Sequence, residues 1–439
     1  MGDPGMDAYS EQISRWTLDH LPARITEALN SPAAFERLAA DMSHRLAALP
    51  ARPDQVPTPT CRRLLVDLGF WGSALVRLAL VHGRTDAVLD STTAGDLSFR
   101  HYYARLAVQS ASGHPPWQSF TSIISWNVPT VEVRLDGDLH SRSEGVFDGP
   151  RVRTWTGTAS EVMLWELFKV GAALGSAANR SLDPIVSGAV SAVSEESLSR
   201  LLASHAFLRS FRQRMANFAR GQDPRGEFSI DVFMNQIRQF GVPWEAKAEA
   251  PSGPHEVESL ARDAIFGMPQ IRHEQWLRDR AGSMMSAEGK RLDRAARAPT
   301  LAEVIQRSTA KTRAFDDLTV SVLVAAHDIY EERRKLSAAH YGIARKMLYR
   351  PQRAQSSDRA EMPTPTLAVD NSQGITGMSE HDVQRFDHAR RVNPLENVLA
   401  ALPSDEISRA RSLIQESLST HSVSVTVRHA GTAASCAQA

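Results

Sequence analysis

Only two cysteines, Cys61 and Cys436, occur in the 439 residues, and they lie near opposite ends of the chain. Such a pair builds neither a disulfide framework nor a thiolate metal cluster, so a reducing, cytoplasmic setting is expected. Excess charge is missing too, since 50 Lys plus Arg balance 50 Asp plus Glu. With no net field to attract a polyanion, neither nucleic acid nor a membrane surface is an expected partner. A neutral or zwitterionic small molecule is. Apolar runs such as Leu75 to Val81 are short and broken by Arg77, against the roughly 20 apolar residues a membrane span requires. Met1 to Asp19 is polar and acidic, without the basic start and apolar run of a secretion signal. Internal repeats, a glycine-rich phosphate loop and a nucleophile elbow are all lacking. His101, His114 and His140 are not spaced as a zinc motif.

What the chain does have is helical periodicity. Hydrophobic residues make up 42% and charged residues 23%, enough for a substantial core. Helices are expected over Gln12–Leu49, Cys61–Val81, Glu161–Ala178, Glu195–Arg220, Ile230–Phe240, His255–Phe266, Leu301–Ser308 and Arg313–Tyr349, with a late one over Asp405–Leu418 capped by Ser404. Pro50 to Pro59 is a proline-rich linker. Val131 to Thr158 is a loop with room for a hairpin, and His421 to Ala439 is expected to fray. Strand signals are few, so the fold class is all-α. The expected divisions are 1–60 as a helical extension with linker, 61–150 as a small helical region, 151–400 as the large helical domain, and 401–439 as a helix and tail.

On the longest helical pattern, Phe315, Leu318, Val322, Ala325, Ile329, Leu336, Ile343 and Met347 define one buried face. His340 falls on it, where a desolvated imidazole needs a partner. Spacing leaves two readings open: a core histidine bonded to a backbone carbonyl, or an axial ligand to heme iron. Small neighbours (Ser337, Ala338, Ala339, Gly342) suit a flat macrocycle or close helix packing. Arg238 reads as a structural or solvated arginine, or as a bidentate clamp on a carboxylate. Phe233 and Trp126 read as packing aromatics or as pocket walls, with Trp117 and Phe120 nearby. Glu331-Glu-Arg-Arg-Lys335 reads as a solvated, ion-paired helix face.

Local patterns favour the metal reading. Leu336-Ser-Ala-Ala-His340, with Lys346 and Pro351 following, resembles the proximal segment of the indoleamine/tryptophan 2,3-dioxygenase superfamily of heme enzymes. Phe233-Met-Asn-Gln-Ile-Arg238 is similar to its distal motif, and Gly374-Ile-Thr-Gly377 to its substrate-closing loop. Asp67-Leu-Gly-Phe, His114-Pro-Pro116 leading to Trp126-Asn127, and Ser252-Gly-Pro254 are similar to landmarks of the monodechloroaminopyrrolnitrin synthase-like branch. The likeness runs from about Cys61 to Gly377. It departs at the glycine loop, reduced to Gly374 and Gly377. It departs also at the substrate-carboxylate tyrosine, where Leu348 holds the spacing and Tyr349 stands beside it. A distal histidine is not evident.

The resemblance implies a helical heme domain with a smaller N-terminal helical region on the distal side. Heme b would be held by His340, the metal ligand, with Phe233 also touching the cofactor. Arg238, Phe233, Tyr349, Trp126, Thr376 and Gly377 would bind substrate, and Arg238 and Thr376 would serve the reaction. The implied activity is oxygenation of tryptophan or a related indole amino acid. Expected partners are that amino acid, or another aromatic one, and O2, with a homodimer allowed. A non-catalytic heme sensor on the same fold, an enzyme for another aromatic amine, and a heme-free helical scaffold are the alternatives.

Overall fold

The most apolar stretch of the sequence becomes the central helix. In α4 (Thr58–Val81) residues on every side are buried, including Asp67 and Arg77. A helix apolar all round belongs inside other helices or lipid. By length and composition α4 could cross a membrane, more than the sequence had led us to expect, but 89% of that stretch is buried within the protein. Its buried carboxylate is matched rather than orphaned. Asp67 Oδ1 accepts a 3.0 Å bond from Arg153 Nε, and Oδ2 accepts one from Ser14.

The computed structural model describes residues 4–50, 52–84, 88–94, 96–147, 149–223, 225–245, 250–251, 255–269, 280, 282–310, 315–351 and 379–428. It is mostly helical, 68% helix against 7% strand. Three helices precede α4: α1 (Pro4–Asp19), α2 (Leu21–Leu29) and α3 (Pro32–Ala47), which starts on a Ser31 cap. After it come α5 (Phe99–Gln109) and a π-helical turn at Thr121–Ser125. Then α6 (Ala159–Val186) and α7 (Glu195–Ala219) pack along one another, each opened by a hydroxyl cap, Thr158 and Ser194. The short α8 (Ile230–Asn235), α9 (Val257–Ile265), α10 (Ser286–Arg297) and α11 (Leu301–Thr309) lead to the 28-residue α12 (Asp317–Ala344). A π-helical turn, Arg345–Tyr349, continues α12. The chain closes with α13 (Glu380–Arg390), α14 (Glu396–Ala400) and α15 (Ser404–Thr420).

Two apolar cores divide these elements. One gathers α1 to α5, the Thr121–Ser125 turn, the start of α6 and residues near α8. The other is built from the rest of α6, α7, α11, α12 and α15. Thus α6 runs through both, with Met163 to Trp165 in the first and Val170 to Val186 in the second.

Several expectations are corrected. The tail does not fray at once: β3 (Val423–Arg428) pairs antiparallel with β1 (Thr130–Leu135), whose other neighbour is β2 (Asp138–Ser143). Valine at 423, 425 and 427 alternates with polar residues, and Val425 is buried against the second core. The helix expected over Ile230–Phe240 breaks at Gln236, whose φ of −121° and ψ of −68° are not helical. A 3-10 turn, Ile237–Phe240, follows, and the Gln239 amide satisfies the Met234 carbonyl left by the break. Within Glu331–Lys335, Glu332 and Arg333 are buried rather than solvated, with Glu332 bound to Arg212 at 2.5 Å. The cap residue of α15 is Pro403, not Ser404, which is its first helical residue.

Candidate functional site

Around α12 the residues nearest His340 in angle, at 3.6 per turn, are Arg333, Leu336, Ser337, Ile343, Ala344 and Met347. Four of these are buried, and Ile343 and Ala344 are half-buried. His340 alone in this stripe is exposed. Yet surrounding protein pushes its pKa down to about 4, with Arg390 and Arg262 adding to burial while Asp263 and Asp387 oppose them.

His340 lies where the two cores meet. Leu336 belongs to the second core and Met347 to the first, while Ile343 packs against both. Among the described residues the His340 imidazole makes no hydrogen bond. The sequence placed His340 on the buried face, and the structure instead leaves it exposed, without the backbone-carbonyl partner of the core-histidine reading. The small neighbours are also corrected in part. Ala338 and Gly342 point to the far side of α12, both exposed, and a Cβ added at Gly342 would meet nothing. Ser337 is occupied, donating a 2.8 Å bond to Asp387 of α13. Tyr341 donates to Glu380 at 3.1 Å and accepts from Gln384 at 2.7 Å, so α13 grips α12 on both sides of His340.

Other histidines differ. His114 is buried with both ring nitrogens engaged, at 2.7 Å from the Pro115 carbonyl and 2.9 Å from Ser119. Burial drives its pKa to about 4, and it is a structural histidine. His205 has an unpartnered Nδ1 but is enclosed by the second core, with 8% of its surface exposed.

Beyond His340, the π turn widens the helix so that Met347 and Tyr349, two residues apart, are both buried. Lys346 ties this turn to the end of α7 through a 2.8 Å bond to the Ala219 carbonyl. Against the turn packs α8, bringing its half-buried Phe233. Arg238 follows on the 3-10 turn, 3% exposed, so Arg238 and Phe233 sit on separate elements. Burial lowers Arg238 to about 10, and nearby Tyr349 opposes that shift. Tyr349 is pushed up to about 12 by burial, with Arg238 pulling down. Arg238 and Tyr349 thus act on one another electrostatically. Phe233 also stands 5.9 Å from the Phe228 ring.

Trp126 ends the Thr121–Ser125 turn and is half-buried. Its ring is 5.4 Å from His114, and the Arg62 guanidinium lies 5.9 Å from it. Lys169 of α6 holds that turn by donating to the carbonyls of Ser125 and Val128, both at 2.6 Å. Phe120 is buried in the first core and Trp117 is half-buried against it. Thr376, Gly377, Gly374 and the Ser252–Pro254 landmark lie outside the described residues.

No protein-family model matches the chain, and no curated protein is significantly similar to it.

Among the described residues, no group of three or more His, Cys, Asp or Glu is placed to hold a metal ion. Heme iron needs only one axial side chain, and an accessible, unpartnered imidazole on a long helix suits that demand. Sequence reasoning passed over Asp263, Arg262 and Arg390, which surround His340 electrostatically. It saw only one available signal, the arginine pair inside Glu331–Lys335, and read that as solvated.

Proposed function

We propose that this chain is a heme-dependent oxygenase acting on tryptophan or a tryptophan-derived indole amino acid. The observation that carries the proposal is His340: unpartnered among the described residues, accessible, and set on an otherwise buried helix face at the junction of two cores. Junctions of this kind are where ligand sites are commonly built. The sequence resemblance from about Cys61 to Gly377 adds the cofactor and substrate class.

Heme b on this imidazole supplies dioxygen activation at its iron. The chain's own residues bind and orient the substrate. Arg238, buried, clamps the amino-acid carboxylate with paired N–H donors, which gain strength where water is excluded. Tyr349, with its phenol pushed up to about 12, stays protonated at neutral pH and donates to the same carboxylate. Phe233 meets the indole by edge or face contact, and Trp126 forms a further wall. Roles for Thr376 and Gly377 rest on the resemblance alone.

The test is the visible spectrum of protein supplied with heme, titrated with tryptophan, for wild type, His340→Ala and Arg238→Ala. The expected result is a Soret band lost in His340→Ala, kept in Arg238→Ala, and shifted by tryptophan in wild type only. A band indifferent to tryptophan would remove the substrate class and leave a heme protein. No His340-dependent band would overturn the proposal.

A further inference from the structure

A cleft of about 240 Å³ lies between α1, the start of α4 and residues 147–153, and shares no residue with the site around His340 and Arg238. Its volume is under the roughly 300–1,000 Å³ of pockets for drug-sized ligands, so it suits a small occupant. Three arginines line it: Arg63, Arg151 and Arg153. Arg153 is built into the wall. It is 3% exposed, donates through Nε to Asp67 at 3.0 Å and through Nη2 to Ser14, and lies 3.1 Å from the Phe147 ring centre. Its Nη1 makes no hydrogen bond among the described residues. Arg63 uses only Nε, on the Val146 carbonyl at 3.2 Å, and has no carboxylate partner. Arg151 uses only Nη2, on Asp19 at 2.6 Å.

The carboxylates that balance Arg153 and Arg151, Asp67 and Asp19, do not line the cleft. Among the described residues Glu11 is the one acid on its wall, and it is exposed and bound to none of the three arginines. Unspent N–H donors from three side chains therefore border one space that holds no protein acceptor for them. Burial lowers the pKa of Arg153, and Arg151 and Arg63 lower it further while Asp67 opposes them. Like charges gathered in this way are relieved by an anion that takes charge-assisted bonds from several of them. The rest of the wall is apolar, with Leu18, Phe147 and Pro150. A bare inorganic anion leaves that surface unused.

We propose that this cleft binds a small organic carboxylate, its head held by Arg63, Arg151 and Arg153 and its apolar body set against Leu18, Phe147 and Pro150. Guanidinium forks match the planar carboxylate group. Burial of the ligand's hydrocarbon or ring against the apolar wall then favours an organic acid over phosphate or sulfate. The site stands apart from the heme reading and needs no cofactor.

The experiment is calorimetric titration of the full-length protein with benzoate, with benzyl alcohol and inorganic phosphate as comparisons. Wild type, Arg63→Gln, Glu11→Gln and Arg238→Ala are compared. We expect saturable benzoate binding, none for benzyl alcohol, and weaker binding of phosphate. Arg63→Gln should weaken benzoate about ten-fold, as loss of a charge-assisted carboxylate contact does. Glu11→Gln should tighten it about two-fold by removing a like charge from an exposed rim. Arg238→Ala should leave it unchanged, because Arg238 is not part of this cleft. Should Arg63→Gln fail to fold, Glu11→Gln still decides, since Glu11 makes no bond among the described residues. No benzoate binding, or binding indifferent to both Arg63 and Glu11, would overturn the proposal. Loss of benzoate in Arg238→Ala alone would overturn it too, by placing the acid at the proposed substrate clamp. Phosphate binding as tight as benzoate would overturn the organic-acid assignment and leave a general anion site.

Discussion

Ser337 donates a 2.8 Å hydrogen bond to Asp387, fixing α13 against α12 one turn before His340. Asp387 is 3% exposed and is also bound by Arg391. Replacing it by Ala strands the Ser337 hydroxyl and releases the clasp, at a cost of about 1–3 kcal/mol. Denaturant melts of Asp387→Ala should show that loss, and on the heme reading proposed above the cofactor should leave the variant faster because α13 no longer steadies the helix. A variant as stable as wild type would mean that the α12–α13 contact is held by its apolar surface instead.

Close packing around Trp244 gives a second expectation. A Cβ on Gly72 would come within 2.2 Å of the Trp244 ring, which also donates to Ser73 at 3.0 Å and packs 4.8 Å from Tyr103. Neither α4 nor the ring has room to move. Gly72→Ala should destabilise the protein by about 1–3 kcal/mol through overpacking, despite alanine's better helix propensity. A stability gain in thermal melts would contradict this packing.

How much of this was legible in the sequence depends on where a residue's neighbours come from. The long helix, α4, α6 and α7 announce themselves through apolar periodicity, because their partners all press on a single stripe or surround it. The stripe on α12 even located His340. Periodicity could not say that the ring stays exposed on an otherwise buried stripe, since that depends on how the two cores meet there. Arg333 looked solvated because a run of charges hides which member turns inward, and its partner Asp263 lies on another element. The strand Val423–Arg428 was legible in its strict alternation. It was missed because its pairing partner, β1, lies almost 300 residues earlier. Gln236 gave no breaker signal of the Gly or Pro kind, so the split between Phe233 and Arg238 could not be foreseen.

A half-buried carboxyl contributes to the pH response of stability. Burial raises Glu288 from an ordinary 4.5 to about 7, against the opposing bonds from Thr121 at 2.7 Å and the Met285 amide at 3.0 Å. Between those values the folded chain binds more protons than the unfolded chain, so stability falls as pH rises through 4.5 to 7. The share of this one group is up to roughly 3 kcal/mol at 1.36 kcal/mol per unit. Glu161 acts in the same window and direction. Asp263, held low by Arg390 and Arg333 despite its burial, acts only below 3.8. Melts at pH 5 and pH 8 should show wild type losing stability and Glu288→Gln losing visibly less. Parallel curves for the two proteins would rule out this origin.

Lys169 links the fold to the proposed pocket. Its ammonium is buried on α6, and burial lowers its pKa to about 7. Its two 2.6 Å bonds satisfy the Ser125 and Val128 carbonyls, which bracket Trp126 and Asn127. Asn127 in turn bonds the Arg153 backbone in both directions at 2.9 Å, so the turn is fixed from two sides. Lys169→Met preserves the apolar stem but leaves two carbonyls without their donor. That should cost about 2–4 kcal/mol, at 1–3 kcal/mol for each stranded buried group with partial relaxation. Asn127 still holds its side of the turn, so the damage should concentrate at Trp126. In the heme-loaded protein the variant should therefore keep the His340-dependent Soret band and weaken its response to tryptophan. Loss of the band with an intact response per bound heme would show that Lys169 supports the heme side of the fold and not the Trp126 wall.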